Sequence, residues 1–206
     1  MLAYYVERFA TVEINATFYR MPNAKTLASW AATAPAGFTY VLKAPQQITH
    51  FARLREIDEP VRYFADTAAA LGDKLGPVLF QLPPNFKKAP DRLAALLAAW
   101  PVERPIALEF RHESWFDDEV YTLLRARNAA LCVAETEGGS TPAVSTADFG
   151  YLRLRAVEYT DDQLRGWLDE MARIGAGWRD AFVFFKHEDT GSGPALARRF
   201  LALHDR

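Results

Sequence analysis

The sequence predicts an α/β protein, and within that class a TIM-type (β/α) barrel in which seven strands are recognisable and the first strand is missing. Short apolar strands alternate with helical patterns, which is the order of a parallel sheet with crossover helices. Polar groups recur at the carboxyl ends of these strands, where a barrel carries its site. An open doubly wound sheet is the alternative, but its glycine-rich first turn, G-x-G-x-x-G, is absent.

The first predicted strand, Thr11–Thr17, lies in a stretch of strict alternation between apolar and polar residues. Such a period of two indicates a strand with two different faces. The apolar side chains would point one way, and the polar side chains, which end at Arg20, would point the other. The polar set consists of Glu13, Asn15, Thr17 and Tyr19.

Short apolar runs predict six further strands: Phe38–Lys43, Val78–Leu82, Ile106–Phe110, Ala130–Ala134, Tyr151–Leu154 and Ala181–Phe185. Helical patterns or long loops separate them, and no linker or internal repeat divides the chain. The chain opens on Leu2–Phe9, which has the pattern of an amphipathic helix without a cap residue. We therefore expect one domain, residues 1–206, that is incomplete at its N-terminus.

Composition limits the class of protein. A chain of 206 residues with 50% hydrophobic and 24% charged residues is long enough for one substantial core. A net charge of −2 argues against a surface that coats nucleic acid, although a local basic patch stays open. The one cysteine, Cys132, excludes an internal disulfide and is expected in the core. No apolar run reaches the roughly 18 residues of a membrane span, so we expect a cytoplasmic protein that does not bind membranes.

Five segments of the sequence resemble the domain-of-unknown-function 72 family: TVEINATFYR, LKAPQQITHFARL, LGPVLFQLPPNFK, ALEFRHESWF and YLRLR. The resemblance covers nearly the whole chain and implies a (β/α) barrel, but it implies no specific activity. Similar proteins begin earlier, with a strand resembling I-G-T-S-G-W, and many carry paired asparagines where this chain has Phe184–Asp189. We therefore expect a truncated chain that is either mis-started, with its true N-terminus upstream, or marginally stable and prone to self-associate through the strand edges exposed by the missing strand.

Glu13 and Glu109 are the predicted catalytic pair. Each lies on the polar face of a predicted strand, and burial would separate their pKa values so that one acts as acid and the other as base. His112 follows the strand of Glu109, where an acid–base imidazole would sit, and is the third catalytic candidate. The alternative is a structural network in which both carboxylates pair with nearby cations.

Five cations are predicted to bind a phosphate or carboxylate at the strand ends: Lys43, Arg53, Arg111, Arg153 and Arg155. Arginine can bind such an anion through two parallel hydrogen bonds. The alternative is that these cations only balance the charge of the acids. The other predicted ligand-binding residues are polar or aromatic groups near strand ends: Asn15, Tyr19, Arg20, His50, Gln81 and Trp115.

No metal and no cofactor are predicted, because neither H-E-x-x-H nor a similar ligand spacing occurs. A metal site would have to be assembled from His112, His187, Glu109 and Glu188 without the support of a motif. Two functions stay open. One is an enzyme that acts on a small anionic or carbohydrate-like substrate with carboxylate acid–base residues. The other is a non-catalytic module that binds nucleic acid or a nucleotide through the same basic strand ends.

Overall fold

The structure is a computed structural model that describes residues 5–136, 139–185 and 191–205. It contains two compact units, Met1–Ala129 and Ala130–Arg206, and each unit is described by itself. The prediction of a single domain therefore stays a prediction.

The first unit contains four parallel strands that are hydrogen-bonded in chain order. These strands are β1 (Thr11–Ile14), β2 (Thr39–Lys43), β3 (Leu75–Gln81) and β4 (Ile106–Glu109). Each parallel pair needs a crossover connection, and each of these connections contains an α-helix. The helices are α1 (Ala24–Thr33), α2 (Asp58–Ala68), α3 (Pro90–Ala99) and α4 (Asp118–Ala126).

One face of the first unit's sheet packs against its helices. The Phe80 ring of β3 lies with its centroid 5.5 Å from that of Trp100, which follows α3, and 6.2 Å from that of Phe64 on α2. All three rings are buried. Since successive side chains of a strand point to opposite faces, Leu79 and Gln81 lie on the face away from these helices.

The second unit contains β5 (Ala130–Thr136), β6 (Gly139–Ser140), β7 (Phe149–Leu154) and β8 (Asp180–Phe185). β7 pairs in parallel with both β5 and β8, while β6 forms a short antiparallel pair with β5. The helices are α5 (Asp161–Ile174), which begins with a capping box of Thr160 and Gln163, and α6 (Ser192–His204). The buried side chain of Cys132 confirms the expected core thiol.

The predicted fold class is confirmed. Within the described residues, seven parallel strands follow one another in the order of a TIM-type barrel that lacks one strand, and helices separate them except between β5 and β7. In the part of the chain that the structure describes, no helix is both long and apolar enough to cross a membrane.

The first strand is shorter than predicted. β1 ends at Ile14, and Asn15–Phe18 forms a 3-10 turn instead of continuing the strand. The Thr17 hydroxyl accepts a hydrogen bond from the Lys43 backbone N–H at 3.1 Å. A side-chain oxygen therefore pairs with this N–H at the end of β2. The predicted alternation of faces is therefore wrong beyond Ile14.

Candidate functional site

Polar side chains from all four strands of the first unit share one face of the sheet. Glu13 of β1 is in register with Val41 of β2. Lys43 follows Val41 by two residues and is in register with Leu79 of β3. Gln81 follows Leu79 by two residues and is in register with Glu109. Because the side-chain period of a strand is two, Glu13, Lys43, Gln81 and Glu109 lie on the same face, away from the helices. Three of them are the last residues of their strands.

Glu109 is the most buried charged residue of this face, with 1% of its surface exposed. Arg111 donates from Nε to Oε1 of Glu109 at 3.0 Å, and its own side chain is 34% exposed. A buried carboxylate needs such a charged hydrogen bond, because desolvation of an unpaired charge is strongly unfavourable. Glu109 therefore holds the Arg111 guanidinium at the carboxyl end of β4.

The turn after β1 positions Lys43. The buried Thr17 hydroxyl lies 2.7 Å from the carbonyl oxygen of Lys43 and 2.9 Å from that of Ile14. These hydrogen bonds place the neighbouring Phe18 ring beneath the lysine, whose Nζ lies 4.1 Å from the ring centroid. A cation at this distance from an aromatic face is stabilised by the ring quadrupole. Thr17 thus couples the end of β1 to the ammonium group at the end of β2.

His50 lies in an irregular loop after β2. Residues Gln47–Phe51 form a π-helical turn, and the next residues include three with positive φ: Arg53 (49°), Leu54 (60°) and Glu56 (49°). Residues other than glycine rarely adopt this conformation, and both π-helical turns and such strained positions are concentrated at functional sites. The loop is closed by a hydrogen bond from the Leu54 N–H to the Ile48 carbonyl at 3.1 Å.

The surroundings of His50 depress its basicity. Its ring lies edge-on to Phe18, with centroids 4.8 Å apart. Burial lowers the pKa of His50 below its usual value of 6.5, the charges of Lys43 and Arg111 lower it further, and the charge of Glu109 raises it in part. The imidazole is therefore neutral at pH 7 and lies within electrostatic reach of both cations. We call Lys43, His50, Gln81, Glu109 and Arg111 the strand-end cluster.

Such an arrangement can bind an anion and transfer a proton. Two cations and one carboxylate act on a neutral imidazole, which has a lone pair for accepting a proton. Amide, carboxylate and guanidinium groups fixed by a sheet are well ordered, which favours specific recognition of a small ligand. The cluster contains five of the residues that the sequence predicted for the site.

Other predicted site residues of the first unit lie beside the cluster or have different contacts. Asn15 is exposed and donates from Nδ2 to Oε1 of Glu13 at 3.0 Å. Tyr19 is 69% exposed and packs edge-on against Phe18, with centroids 5.0 Å apart. Arg20 is exposed, and its N–H donates to Ala16 at 3.1 Å. The carbonyl of Arg53 accepts from Arg92 at 3.4 Å.

The residues after β4 have structural contacts. His112 accepts from the Ser114 N–H through Nδ1 at 3.2 Å and caps the 3-10 turn Glu113–Trp115, while its catalytic role stays a prediction. Trp115 is fully buried, stacks on Phe110 with centroids 4.7 Å apart, and donates from Nε1 to the Phe86 carbonyl at 2.7 Å. This ring belongs to the core, which corrects the prediction that it lines a ligand site.

The two predicted arginines of the second unit lie on and after β7. Arg153 is half-buried, and its register places it on the same sheet face as Cys132, Tyr151 and Phe184. The N–H of Arg155 donates to Oε2 of Glu135 at 3.0 Å. The same carboxylate oxygen accepts from the Ala156 N–H at 3.0 Å and from the Tyr159 hydroxyl. Burial and the hydrogen bond to Glu135 raise the pKa of Tyr159.

The sequence did not identify several residues that organise these contacts. Phe18 was assigned to the apolar face of a strand, and Thr17 was assigned only to its polar face. Thr49, whose Oγ1 lies 2.9 Å from Nδ1 of His50, is not among the predicted site residues. Glu135 is not among them either, and the Arg155 and Ala156 N–H groups that donate to it are 20 and 21 residues away in the chain. The adjacency of Thr49 and His50 was the one signal available.

The described residues contain no group of three or more histidine, cysteine, aspartate or glutamate side chains that could hold a metal ion. His187 and Glu188, which belonged to the metal set considered from the sequence, lie outside the described residues.

Comparison with known proteins identifies relatives of this fold. Residues 1–206 match the family model described as "Protein of unknown function DUF72". The UPF0759 protein YunF of Bacillus subtilis (strain 168) is 25% identical over 242 residues, covering 98% of this chain and 85% of that protein. The UPF0759 protein YecE of Escherichia coli (strain K12) is 33% identical over 126 residues, or 59% of this chain and 46% of YecE. That match spans about half the length of the relative.

Solved structures also resemble this chain. A DUF72 family protein from Enterococcus faecalis V583 aligns with a TM-score of 0.86 at 16% identity, covering 100% of this chain and 94% of that chain. A second DUF72 family protein, from Thermotoga maritima MSB8, aligns with a TM-score of 0.77 at 23% identity, covering 96% of this chain and 84% of that chain. At these identities the likeness shows the fold alone.

Proposed function

Because this chain belongs to the DUF72 family, whose model carries no assigned function, we propose a function from the geometry of its strand-end cluster. The proposal is an enzyme that binds a small anionic substrate through Lys43 and Arg111 and transfers a proton through His50. One observation carries it: the His50 ring packs edge-on against Phe18 with centroids 4.8 Å apart, and the Lys43 ammonium lies 4.1 Å from the centroid of the same ring.

Anion binding follows from the charges of the cluster. Lys43 and Arg111 each present hydrogen-bond donors to a substrate phosphate or carboxylate, and such charged hydrogen bonds are stronger than neutral ones. Glu109 pairs with Arg111 through Nε, and the two terminal nitrogens of the guanidinium carry further donors. We assign Glu109 the role of positioning Arg111.

Proton transfer follows from the hydrogen bonds around His50. The Thr49 hydroxyl lies 3.3 Å from the Pro45 carbonyl, to which it donates, and 2.9 Å from Nδ1 of His50. We assign the tautomer in which the Thr49 hydroxyl donates to this carbonyl and accepts from an N–H at Nδ1 of the neutral ring. Nε2 then has the free lone pair of a general base. Glu13, half-buried on the same sheet face, is the proposed second acid–base group.

The proposal is tested by following the His50 pKa by NMR while sulfate is added. Sulfate stands in for a substrate anion and does not itself titrate near neutral pH. Bound sulfate would offset the charges of Lys43 and Arg111, so the His50 pKa should rise. In the Arg111→Gln variant the His50 pKa should be higher without sulfate, and sulfate should raise it less than in the unmodified protein. His50→Gln identifies the signal among the four histidines.

The controls separate binding from general screening. Sodium chloride at matched ionic strength should raise the pKa less than sulfate does. Arg125→Gln, which removes an arginine of α4 that lies over the Tyr121 ring, should respond to sulfate like the unmodified protein. Equal responses to sulfate and chloride in the unmodified protein would overturn the proposal.

The alternative function, a module that binds nucleic acid, uses the same cations but differs in salt dependence. For single strands, the logarithm of affinity falls with the logarithm of salt by about 0.7 per phosphate contact. The two cations of the cluster would give a slope near −1.4 on that basis, roughly twice 0.7. A much steeper slope for a short oligonucleotide would favour the nucleic-acid module over the enzyme.

A further inference from the structure

Two exposed aromatic rings lie in the turns that carry the strand-end cluster. From them we infer that the substrate has a ring beside its anionic group, as in a sugar phosphate or a nucleoside monophosphate. The inference rests on the proposed function, because it names the class of substrate for the same site.

The rings belong to Tyr19 and Phe51, which are 69% and 71% exposed. Among the described residues, six large hydrophobic side chains are exposed, and three of these are aromatic. Two of the three aromatics, Tyr19 and Phe51, lie in the segments that follow β1 and β2, while the third, Tyr63, lies on α2. Single exposed apolar residues are ordinary, but two beside one cationic site indicate a recognition surface.

Tyr19 is connected to the cluster by ring contacts, and Phe51 is connected to it through the chain. Tyr19 packs edge-on against Phe18, and Phe18 packs edge-on against His50, with centroids 5.0 Å and 4.8 Å apart. Phe51 is the residue next to His50 and ends the same π-helical turn. A ligand held by Lys43, whose Nζ lies 4.1 Å from the Phe18 centroid, is therefore near the start of a row of aromatic rings.

Backbone hydrogen bonds order the turns from which both rings project. The Tyr19 N–H donates to the Ala16 carbonyl at 3.1 Å, and the Ala52 N–H, next to Phe51, donates to the Gln47 carbonyl at 2.9 Å. The buried side chain of Ile48 anchors the turn of Phe51. Rings that are positioned before binding lose little conformational freedom on binding, which favours stacking on the face of a sugar or a base.

The test compares three probes by calorimetry: inorganic phosphate, ribose 5-phosphate and adenosine 5′-monophosphate. The ring-bearing probes should bind at least about tenfold more tightly than phosphate, which is within the range of one stacked ring. Preference for the ribose probe assigns the contact to a sugar, and a further gain with the adenosine probe assigns it to a base.

Variants locate the contact. Tyr19→Ala or Phe51→Ala should remove most of the advantage of the ring-bearing probes and leave the affinity for phosphate unchanged. Tyr63→Ala, the matched control on α2, should change neither the advantage of the ring-bearing probes nor the affinity for phosphate. All these side chains are exposed, so the variants should keep the melting temperature of the unmodified protein.

The outcomes separate the two proposals. Equal affinities for the three probes would overturn the ring inference and leave the anion site intact. An advantage for ring-bearing probes that survives in both alanine variants would also overturn it. If no probe binds and sulfate leaves the His50 pKa unchanged, the proposed function fails and the ring inference fails with it.

Discussion

At the scale of single residues, buried hydroxyl groups connect the stability of the first unit to its candidate site. The Thr17 side chain has no exposed surface and lies within hydrogen-bond distance of the Ile14 carbonyl and of both backbone groups of Lys43. Loss of this hydroxyl would leave buried backbone groups unpaired and would release the turn that holds Phe18 beneath the lysine. Thr17 is thus a positioning residue for Lys43.

Thr17→Val should lower the free energy of unfolding by about 1–3 kcal/mol, because it removes a buried hydrogen-bonding group at nearly constant volume. The measurement is urea unfolding followed by circular dichroism. Thr33→Val is the matched control, since the exposed Thr33 hydroxyl donates only to Ser29 of its own helix. An equal effect of both substitutions would contradict the role assigned to Thr17.

At the scale of elements, two glycines of the second unit illustrate opposite constraints. Gly150 on β7 lies against Trp178, and a Cβ added there would lie 2.3 Å from the indole ring. The ring is held in place because Nε1 of Trp178 donates to Oγ of Ser145 at 2.9 Å. Gly166 on α5 has no neighbouring atom within 4 Å of its added Cβ. The strand needs its glycine for packing, while the helix does not.

Gly150→Ala should destabilise the protein by about 1–3 kcal/mol, the usual effect of overpacking a tight contact. Gly166→Ala should stabilise it by about 0.5–1 kcal/mol, because alanine has the higher helix propensity. Melting temperatures of the two variants, compared with the unmodified protein, check both signs. A change of the same sign for both would refute the packing argument for Gly150.

At the scale of the whole molecule, tyrosine ionisation is expected to limit stability in alkali. Burial raises the pKa of four tyrosines above the usual value of 10, and at Tyr159 the hydrogen bond to Glu135 raises it further. The group consists of Tyr5, Tyr40, Tyr121 and Tyr159. A folded pKa above the unfolded value means that the stabilisation is complete below pH 10 and is lost as the pH rises above it.

The free energy of unfolding should therefore fall above pH 10, by up to about 1.4 kcal/mol per pH unit for each tyrosine that stays protonated only in the folded state. Urea midpoints measured between pH 8 and pH 11 test the expectation. Tyr159→Phe should make the decline shallower, and Tyr63→Phe, at an exposed tyrosine of α2, should not. The same slope in both variants would rule out the contribution of Tyr159.

Much of the fold was determined by local sequence pattern. Alternation of apolar and polar residues located β1, short apolar runs located the other six parallel strands, and the capping-box spacing of Thr160 and Gln163 marks the start of α5. Such patterns are readable because side-chain periodicity and end caps depend on nearby residues. The same periodicity placed Glu13 and Glu109 on one face of the sheet, which the strand register confirms.

The tertiary structure decided how these side chains are used. It ended β1 at Ile14, because the Thr17 hydroxyl bonds to Lys43, 26 residues away in the chain. It buried Trp115 against Phe86, which is 29 residues away, and brought His50 within reach of Arg111. Sequence alone located the strands and the polar groups near their carboxyl ends. Contacts between distant segments determined their pairing, burial and pKa, because hydrogen bonding and desolvation depend on neighbours that no local pattern specifies.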